Sequence, residues 1–131
     1  MKLVILDTNA YRRLYNGDSE LLEVVESCER VLMSPIVLGE LLAGYKKGNK
    51  EKENLRWLKR FMDSVSVELA VIGEETARSY AQIKVGLEKK GKPIPTNDMW
   101  IAAQAMENGA VLISNDQHFK EIDGLRIWEG V

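Results

Sequence analysis

Short apolar runs that alternate with longer amphipathic segments are the feature that most restricts the fold of this chain. Continuous apolar runs at residues 3–6, 31–33 and 111–113 end at polar or turn-forming residues, as buried parallel strands do. Weaker strand patterns occupy residues 65–71 and 125–128. We therefore expect an α/β fold in which a central parallel sheet of four to five strands carries helices on both faces.

Helical spacing of apolar residues accounts for most of the segments between these runs. It predicts helices that begin near Ser19, at Pro35, near Leu55, at Glu74 and near Met99. The polar stretch at residues 46–54, KKGNKEKEN, is expected to be a surface turn between two of them.

The length of 131 residues is typical of one domain, and we expect it to span residues 1–131. A net charge of −2 excludes a polycation that coats nucleic acid, so any such contact needs a local basic patch. The single cysteine, Cys28, allows no intrachain disulfide, which fits a reducing compartment. The first apolar run is too short for a signal peptide or a membrane span, so we expect a cytoplasmic protein that does not contact membranes.

Acidic residues follow two of the predicted strands. Asp7 comes directly after the first apolar run, and Asp116 comes shortly after the run at residues 111–113. The carboxyl ends of parallel strands meet at one edge of a sheet, where such folds bind their ligands. We therefore expect these two carboxylates to lie close together.

Two further carboxylates lie in helical segments at positions that are usually apolar. Asp98 begins the segment DMWIAAQA and shares an apolar stripe with Ile101 and Ala102. Glu40 lies in mid-helix beside Leu41, where a carboxylate loses hydration unless a partner meets it. Both positions favour a site at the edge of the sheet.

Each carboxylate taken alone also has an ordinary structural explanation. Asp7 and Asp116 suit strand-exit turns, and Asp98 suits the first turn of a helix. Glu40 could bond a backbone amide or an arginine. Four carboxylates at one edge would repel one another, however, and a divalent cation removes that conflict. Oxygen ligands suit Mg²⁺ or Mn²⁺, and one or two such ions would serve phosphodiester hydrolysis, whereas one cysteine and one histidine cannot build a zinc cluster.

Four segments of the sequence together resemble the acidic motifs of the PIN-domain nucleases. They are LDTNAY, PIVLGELLAGYKKG, IPTNDMWIAAQA and LISNDQHF, and the resemblance extends from Leu3 to Phe119. Within that family the chain is most similar to the VapC-type toxins of prokaryotic toxin–antitoxin pairs. The resemblance implies a PIN-like three-layer α/β/α fold and a metal-dependent endoribonuclease.

The resemblance also implies site residues and partners. The family's acidic quartet, which holds Mg²⁺ or Mn²⁺ and positions a water to cleave RNA, matches Asp7, Glu40, Asp98 and Asp116. Ser114 matches a small hydroxyl position that supports the site, and Thr8 and Asn9 are expected to orient Asp7 through hydrogen bonds. The implied partners are an RNA substrate, a small antitoxin protein that folds over the active-site groove, and a second copy of the chain in a homodimer.

Two other functions compete with this one. A non-catalytic PIN-like module for RNA binding or scaffolding would share the fold, but the complete quartet argues against it. A phosphatase of the HAD type also begins with an apolar strand that ends in aspartate. Its mechanism needs a second aspartate two residues later, where this chain has Asn9.

Other polar residues have weaker claims to a role in the site. Arg12 and Arg13 could reach substrate phosphates, although a solvated helix face explains at least one of them. The basic run from Lys46 to Arg60 could steer RNA, yet its interleaved glutamates suit a solvent-facing helix surface equally well. His118 lies in the polar turn after Asp116, and we expect it to lie away from the substrate.

Overall fold

One parallel sheet of five strands, flanked by α-helices, organises residues 1–130, which the computed structural model describes. The elements follow in the order β1 (Leu3–Leu6), α1 (Thr8–Tyr15), α2 (Ser19–Ser27), β2 (Arg30–Met33), α3 (Pro35–Lys47), α4 (Glu51–Met62), β3 (Val67–Leu69), α5 (Glu74–Lys90), α6 (Thr96–Asn108), β4 (Val111–Ile113), a 3₁₀ turn (Gln117–Glu121) and β5 (Ile127–Trp128). The predicted three-layer α/β/α class, with its central parallel sheet, is confirmed. Across these residues no helix is long and apolar enough to cross a membrane.

The strand order is β3-β2-β1-β4-β5, and every neighbouring pair is parallel. The chain adds β2 and β3 on one side of β1 and then crosses over to add β4 and β5 on the other. This reversal makes the boundary between β1 and β4 the topological switch point, where open α/β sheets leave a crevice for ligands. Leu6 pairs with Ile113 in register, so the residues that follow these two strands emerge side by side.

The central strands lie in the hydrophobic core because helices cover both faces of the sheet. Val4, Ile5 and Leu6 are fully buried, which explains why β1 is continuously apolar rather than alternating. Two aromatic contacts tie α1 to α4 over this core. Tyr11 of α1 makes edge-to-face contacts with Trp57 and with Phe61 of α4, and these two rings stack on each other within α4. We infer that these rings serve packing between the two helices.

Helix ends follow local chemistry, and they differ from the predicted ends in two places. The predicted turn at residues 46–54 is wrong in extent, because α3 continues to Lys47 and α4 begins at Glu51. Basic residues in the last turn of α3 and acidic residues in the first turn of α4 complement the helix dipoles, which explains why this polar stretch is largely helical. Helix α6 begins at Thr96, directly after Pro95, rather than near Met99.

The two weakly patterned strands are shorter than predicted. Residues 67–69 form β3, and residues 127–128 form β5. Both are edge strands of the sheet, and an edge strand has a pairing partner on one side only. Its hydrophobic pattern is therefore less constrained than that of a central strand.

Candidate active site

The four acidic residues singled out by sequence line one open cavity of ≈ 730 Å³ at the carboxyl edge of the sheet. The cavity lies at the switch point between β1 and β4. Its walls come from α1, α3, the start of α6 and the turn after β4, with the lining residues Asp7, Thr8, Asn9, Arg12, Glu40, Ala43, Gly44, Lys47, Pro95, Thr96, Asn97, Asp98, Ile101, Asp116 and His118. Residues separated by more than a hundred positions in the chain therefore share one site.

Asp7 is the most buried of these acids, with 5% of its surface exposed. It is the N-cap of α1, where its Oδ1 accepts a hydrogen bond from the Ala10 amide at 2.7 Å. Burial raises the pKa of Asp7, and the charge of Asp116 raises it further, against the hydrogen bonds from Ser114 and Ala10 that lower it. The end of β1 therefore holds the Asp7 carboxylate in a fixed position, where burial disfavours its ionised form.

Ser114 links the two strand ends through its side chain. Its hydroxyl donates to Asp7 Oδ2 at 2.5 Å, and its Oγ accepts from the Asp116 amide at 3.0 Å. Ser114 is 1% exposed, so bulk water does not replace either hydrogen bond when the hydroxyl is removed. This contact agrees with the supporting role that the family resemblance implies for Ser114.

Glu40 receives the hydrogen bond that the sequence had assigned to Asp7. The Thr8 hydroxyl donates to Glu40 Oε1 at 2.7 Å across the α1–α3 contact. The predicted bond from Thr8 to Asp7 is therefore wrong, because Asp7 turns towards Ala10 and Ser114 while Thr8 faces α3. Asn9 is exposed on the cavity wall, and within residues 1–130 no hydrogen bond joins it to Asp7.

Asp98 lies in the first turn of α6, and its side chain is 19% exposed. Desolvation raises the pKa of Asp98, and the charges of Asp116 and Glu40 raise it further, while His118 lowers it. Ile101, one turn on, lines the same cavity and is almost fully buried. The apolar stripe of α6 thus carries the Asp98 carboxylate at its N-terminal end, beside the cavity, as the spacing predicted.

His118 lies much closer to the acids than the sequence suggested. Its Nδ1 is 3.1 Å from Asp116 Oδ1 and 3.4 Å from Asp98 Oδ2, and its backbone amide donates to Asp116 Oδ1 at 2.9 Å. Asp116 caps the 3₁₀ turn, and this tight turn folds His118 back over the carboxylates. A polar residue two positions after an N-cap aspartate was the only sequence signal for this placement.

Basic side chains lie at the wall of the cavity rather than among the acids. Arg12 and Lys47 line it, whereas Arg13 pairs with Asp18 at 2.8 Å. Of the basic run between Lys46 and Arg60, Lys47 alone is a cavity residue; Lys59 instead forms an exposed pair with Asp63 at 3.0 Å. The run is mainly a solvated helix surface, as its glutamates indicated.

The donor set of the cavity fits a hard divalent cation. Carboxylate oxygens come from four separate elements, and burial, together with the charge of Asp116, raises the pKa of both Asp7 and Asp98. Side-chain donor atoms of Asp98, Asp116 and His118 all lie within 4.8 Å of one another. Such an arrangement can hold Mg²⁺ or Mn²⁺ through oxygen ligands.

Comparison with known proteins agrees with this geometry. The PIN domain family model matches residues 4–125. Ribonuclease VapC2 of Rickettsia felis is 31% identical over 128 residues, which cover 94% of each chain. The solved structure of VapBC2 from Rickettsia felis, bound to a DNA fragment from the promoter, superposes with a TM-score of 0.86 at 27% identity, covering 96% of this chain and 97% of that one. VapBC-1 from nontypeable Haemophilus influenzae gives a TM-score of 0.85 at 27% identity, covering 97% of each.

Proposed function

The chain belongs to the PIN domain family, and from that premise we propose that residues 1–131 form a single PIN domain that acts as a metal-dependent endoribonuclease. The carrying observation is the convergence of four carboxylates in one cavity, two of them with raised pKa values. The curated relatives named as VapC ribonucleases support RNA as the substrate. Their reaction is the hydrolysis of an RNA phosphodiester bond.

Each carboxylate has a defined part in this proposal. Asp7, Asp98 and Asp116 hold a Mg²⁺ or Mn²⁺ ion, with Asp7 fixed in advance by its two hydrogen bonds. Glu40, held by Thr8, either completes the ligand set through water or orients the attacking water. When bound, the ion supplies Lewis-acid stabilisation of the charge that develops on the phosphoryl oxygens.

Substrate binding would use the positive side chains on the wall of the cavity. Arg12 and Lys47 can neutralise RNA phosphates beside the acids. Arg13 does not line the cavity and instead pairs with Asp18. A chain with net charge −2 would therefore bind RNA through this local wall rather than through its overall field.

The biological setting proposed is that of a toxin in a toxin–antitoxin pair. The solved structures similar to this chain are described as VapBC complexes from Rickettsia felis, Haemophilus influenzae and Salmonella typhimurium. We extend to this chain a small antitoxin partner and a homodimer. Co-purification of the adjacent gene product, and light scattering of the free toxin, would test these two assemblies.

The decisive experiment is RNA cleavage with matched variants. Purified, antitoxin-free protein is incubated with total RNA in Mg²⁺, in Mn²⁺ and in EDTA, beside Asp98→Asn and the control Asp123→Asn. The control makes the same chemical change at a carboxylate outside the cavity, which pairs with Lys90. We expect discrete fragments from the wild type and the control in either metal, and none from Asp98→Asn or in EDTA.

Two results would contradict the proposal. Equal cleavage by the wild type and Asp98→Asn would mean that the acidic cavity is not the active site. RNA that is bound but left intact in both metals would favour a non-catalytic RNA-binding module instead.

A further inference from the structure

The single histidine of the chain, His118, lies beside two of the acids of the cavity. Its Nδ1 faces two carboxylates from two different elements, at 3.1 Å from Asp116 Oδ1 and 3.4 Å from Asp98 Oδ2. Adjacent ligand atoms of an octahedral ion with bonds of about 2.1 Å are about 3 Å apart. The two distances from Nδ1 are therefore close to that spacing, and donor atoms of all three residues lie within 4.8 Å of one another.

The existing hydrogen bonds leave this arrangement available. Asp116 Oδ1 accepts the His118 backbone amide at 2.9 Å, but an ionised carboxylate oxygen keeps a further lone pair. The same bond fixes the turn that carries the ring, because Asp116 caps the 3₁₀ turn at Gln117–Glu121. The imidazole is half exposed, with 50% of its side-chain surface open to the cavity and solvent. An ion can reach it without any rearrangement of the core.

We propose that His118 Nδ1 ligates the ion held by Asp98 and Asp116, and that it makes the site prefer transition-metal dications such as Mn²⁺ over Mg²⁺. This inference rests on the proposed metal dependence and adds to it a nitrogen ligand. Mg²⁺ strongly prefers oxygen ligands, whereas transition-metal ions gain from an imidazole nitrogen. A site of four carboxylates alone would provide a smaller difference between the two ions.

Competing explanations for His118 predict a different outcome. A ring that only donated a hydrogen bond to Asp98 and Asp116 would position the carboxylates for every ion alike. Its removal would then weaken Mn²⁺ and Mg²⁺ binding by the same factor. The ratio of the two dissociation constants is therefore the quantity that separates a ligand from a positioning residue.

The test measures metal binding directly, without RNA. Mn²⁺ and Mg²⁺ are titrated calorimetrically into protein without a histidine tag, as wild type, His118→Ala, His118→Asn and the control Gln117→Ala. Asparagine retains an amide donor near the position of Nδ1 but has no imidazole nitrogen. Gln117 is an exposed neighbour in the same turn and lies outside the cavity lining. Circular dichroism confirms that each variant is folded.

We expect loss of His118 to weaken Mn²⁺ binding at least about tenfold while Mg²⁺ binding changes by less than about threefold. The preference for Mn²⁺ therefore falls in His118→Ala and His118→Asn and is retained in Gln117→Ala. Pulsed electron paramagnetic resonance of the Mn²⁺ complex should show imidazole ¹⁴N coupling. The chain has one histidine, so this signal can come from His118 alone.

Three results would overturn the inference, and the first two of them leave the proposed function intact. An unchanged Mn²⁺ to Mg²⁺ ratio in both His118 variants, or a wild-type Mn²⁺ complex without imidazole coupling, would leave an oxygen-only site. A wild type that bound neither ion would refute this inference together with the metal dependence. Imidazole coupling in a protein that left RNA intact would instead contradict the proposed nuclease activity, while it would still support His118 as a metal ligand.

Discussion

The acidic cavity has two halves that are built in opposite ways. In the anchored half, Asp7 and Ser114 are buried, and their side chains bond each other and the backbone. In the open half, Asp98, Asp116 and His118 are partly exposed, and their donor atoms cluster with long or weak contacts. The comparison teaches that hydrogen bonds within the fold fix one side of the site, whereas the proposed metal ion would complete the other side.

The first and largest test asks whether activity needs both halves equally. We expect Asp7→Asn to lower the RNA cleavage rate as severely as Asp98→Asn, by more than about a hundredfold, because both remove a negative oxygen ligand. Asparagine keeps the capping oxygen of Asp7, so α1 is retained. Single-turnover cleavage of a defined RNA would measure this rate. An Asp7→Asn variant with wild-type activity would mean that the anchored half has only a structural role.

The second test separates the halves by stability. Ser114→Ala should lower the free energy of unfolding by about 1–3 kcal/mol, because the buried Asp7 carboxylate and the partly buried Asp116 amide each lose a partner. His118→Ala should change it by less than about 0.5 kcal/mol, since the ring is half exposed. Urea denaturation in EDTA measures both values. Equal losses would mean that the two halves are equally structural.

The third test concerns the bond between Thr8 and Glu40, which lies on the wall beside the anchored half. Thr8→Val keeps the shape of the side chain but removes the donor at 2.7 Å from Glu40. We expect a fall in cleavage rate of about tenfold with little change in stability, because Glu40 is partly exposed and can turn to water. Thr96→Val, on the same cavity wall, is the matched control. Wild-type activity in Thr8→Val would mean that the hydrogen bond from Thr8 to Glu40 is not needed for catalysis.

The smallest expected effect is a pH dependence of metal-free stability. The pKa values of Asp7 and Asp98 are raised above 3.8, so the folded state holds protons that the unfolded chain releases. These two groups therefore stabilise the fold below pH 3.8, and that contribution is lost as the pH rises through their raised pKa values. The free energy of unfolding in EDTA should consequently fall less steeply with rising pH in Asp98→Asn than in the wild type. If the free energy of unfolding had the same pH dependence in both proteins, the pKa of Asp98 would not be raised by the fold.

Much of the site could be predicted from the sequence, because strand ends and the apolar stripes of helices are local sequence patterns. Asp7 and Asp116 follow apolar strands, and Asp98 lies on an apolar stripe, so their meeting at one sheet edge follows from parallel topology. The contact between Thr8 and Glu40 was missed because it depends on how α1 packs against α3. Two residues that are 32 positions apart in the chain reveal no such pairing in their local sequence.

His118 was missed for a different physical reason. A 3₁₀ turn is too short for its periodicity to be read from a sequence, so the direction of the ring could not be inferred. The helix ends between α3 and α4 were misjudged because a polar stretch was read as a turn. Its charges in fact match the dipoles of two helix ends. Local patterns predicted where the strands place carboxylates, but not what contacts them.

The switch point between β1 and β4 has a consequence for the synthesis of the protein. Asp7 is synthesised before its partner Ser114, which lies 107 residues later in the chain, and Asp116 is synthesised later still. A nascent chain that ends before residue 111 can carry Asp7, Glu40 and Asp98 but has no β4 beside them. The ribosome therefore holds a chain without a complete acidic site until residue 116 has been made, and an enzyme that cuts RNA would gain its activity only after β4 has been translated and has joined the sheet.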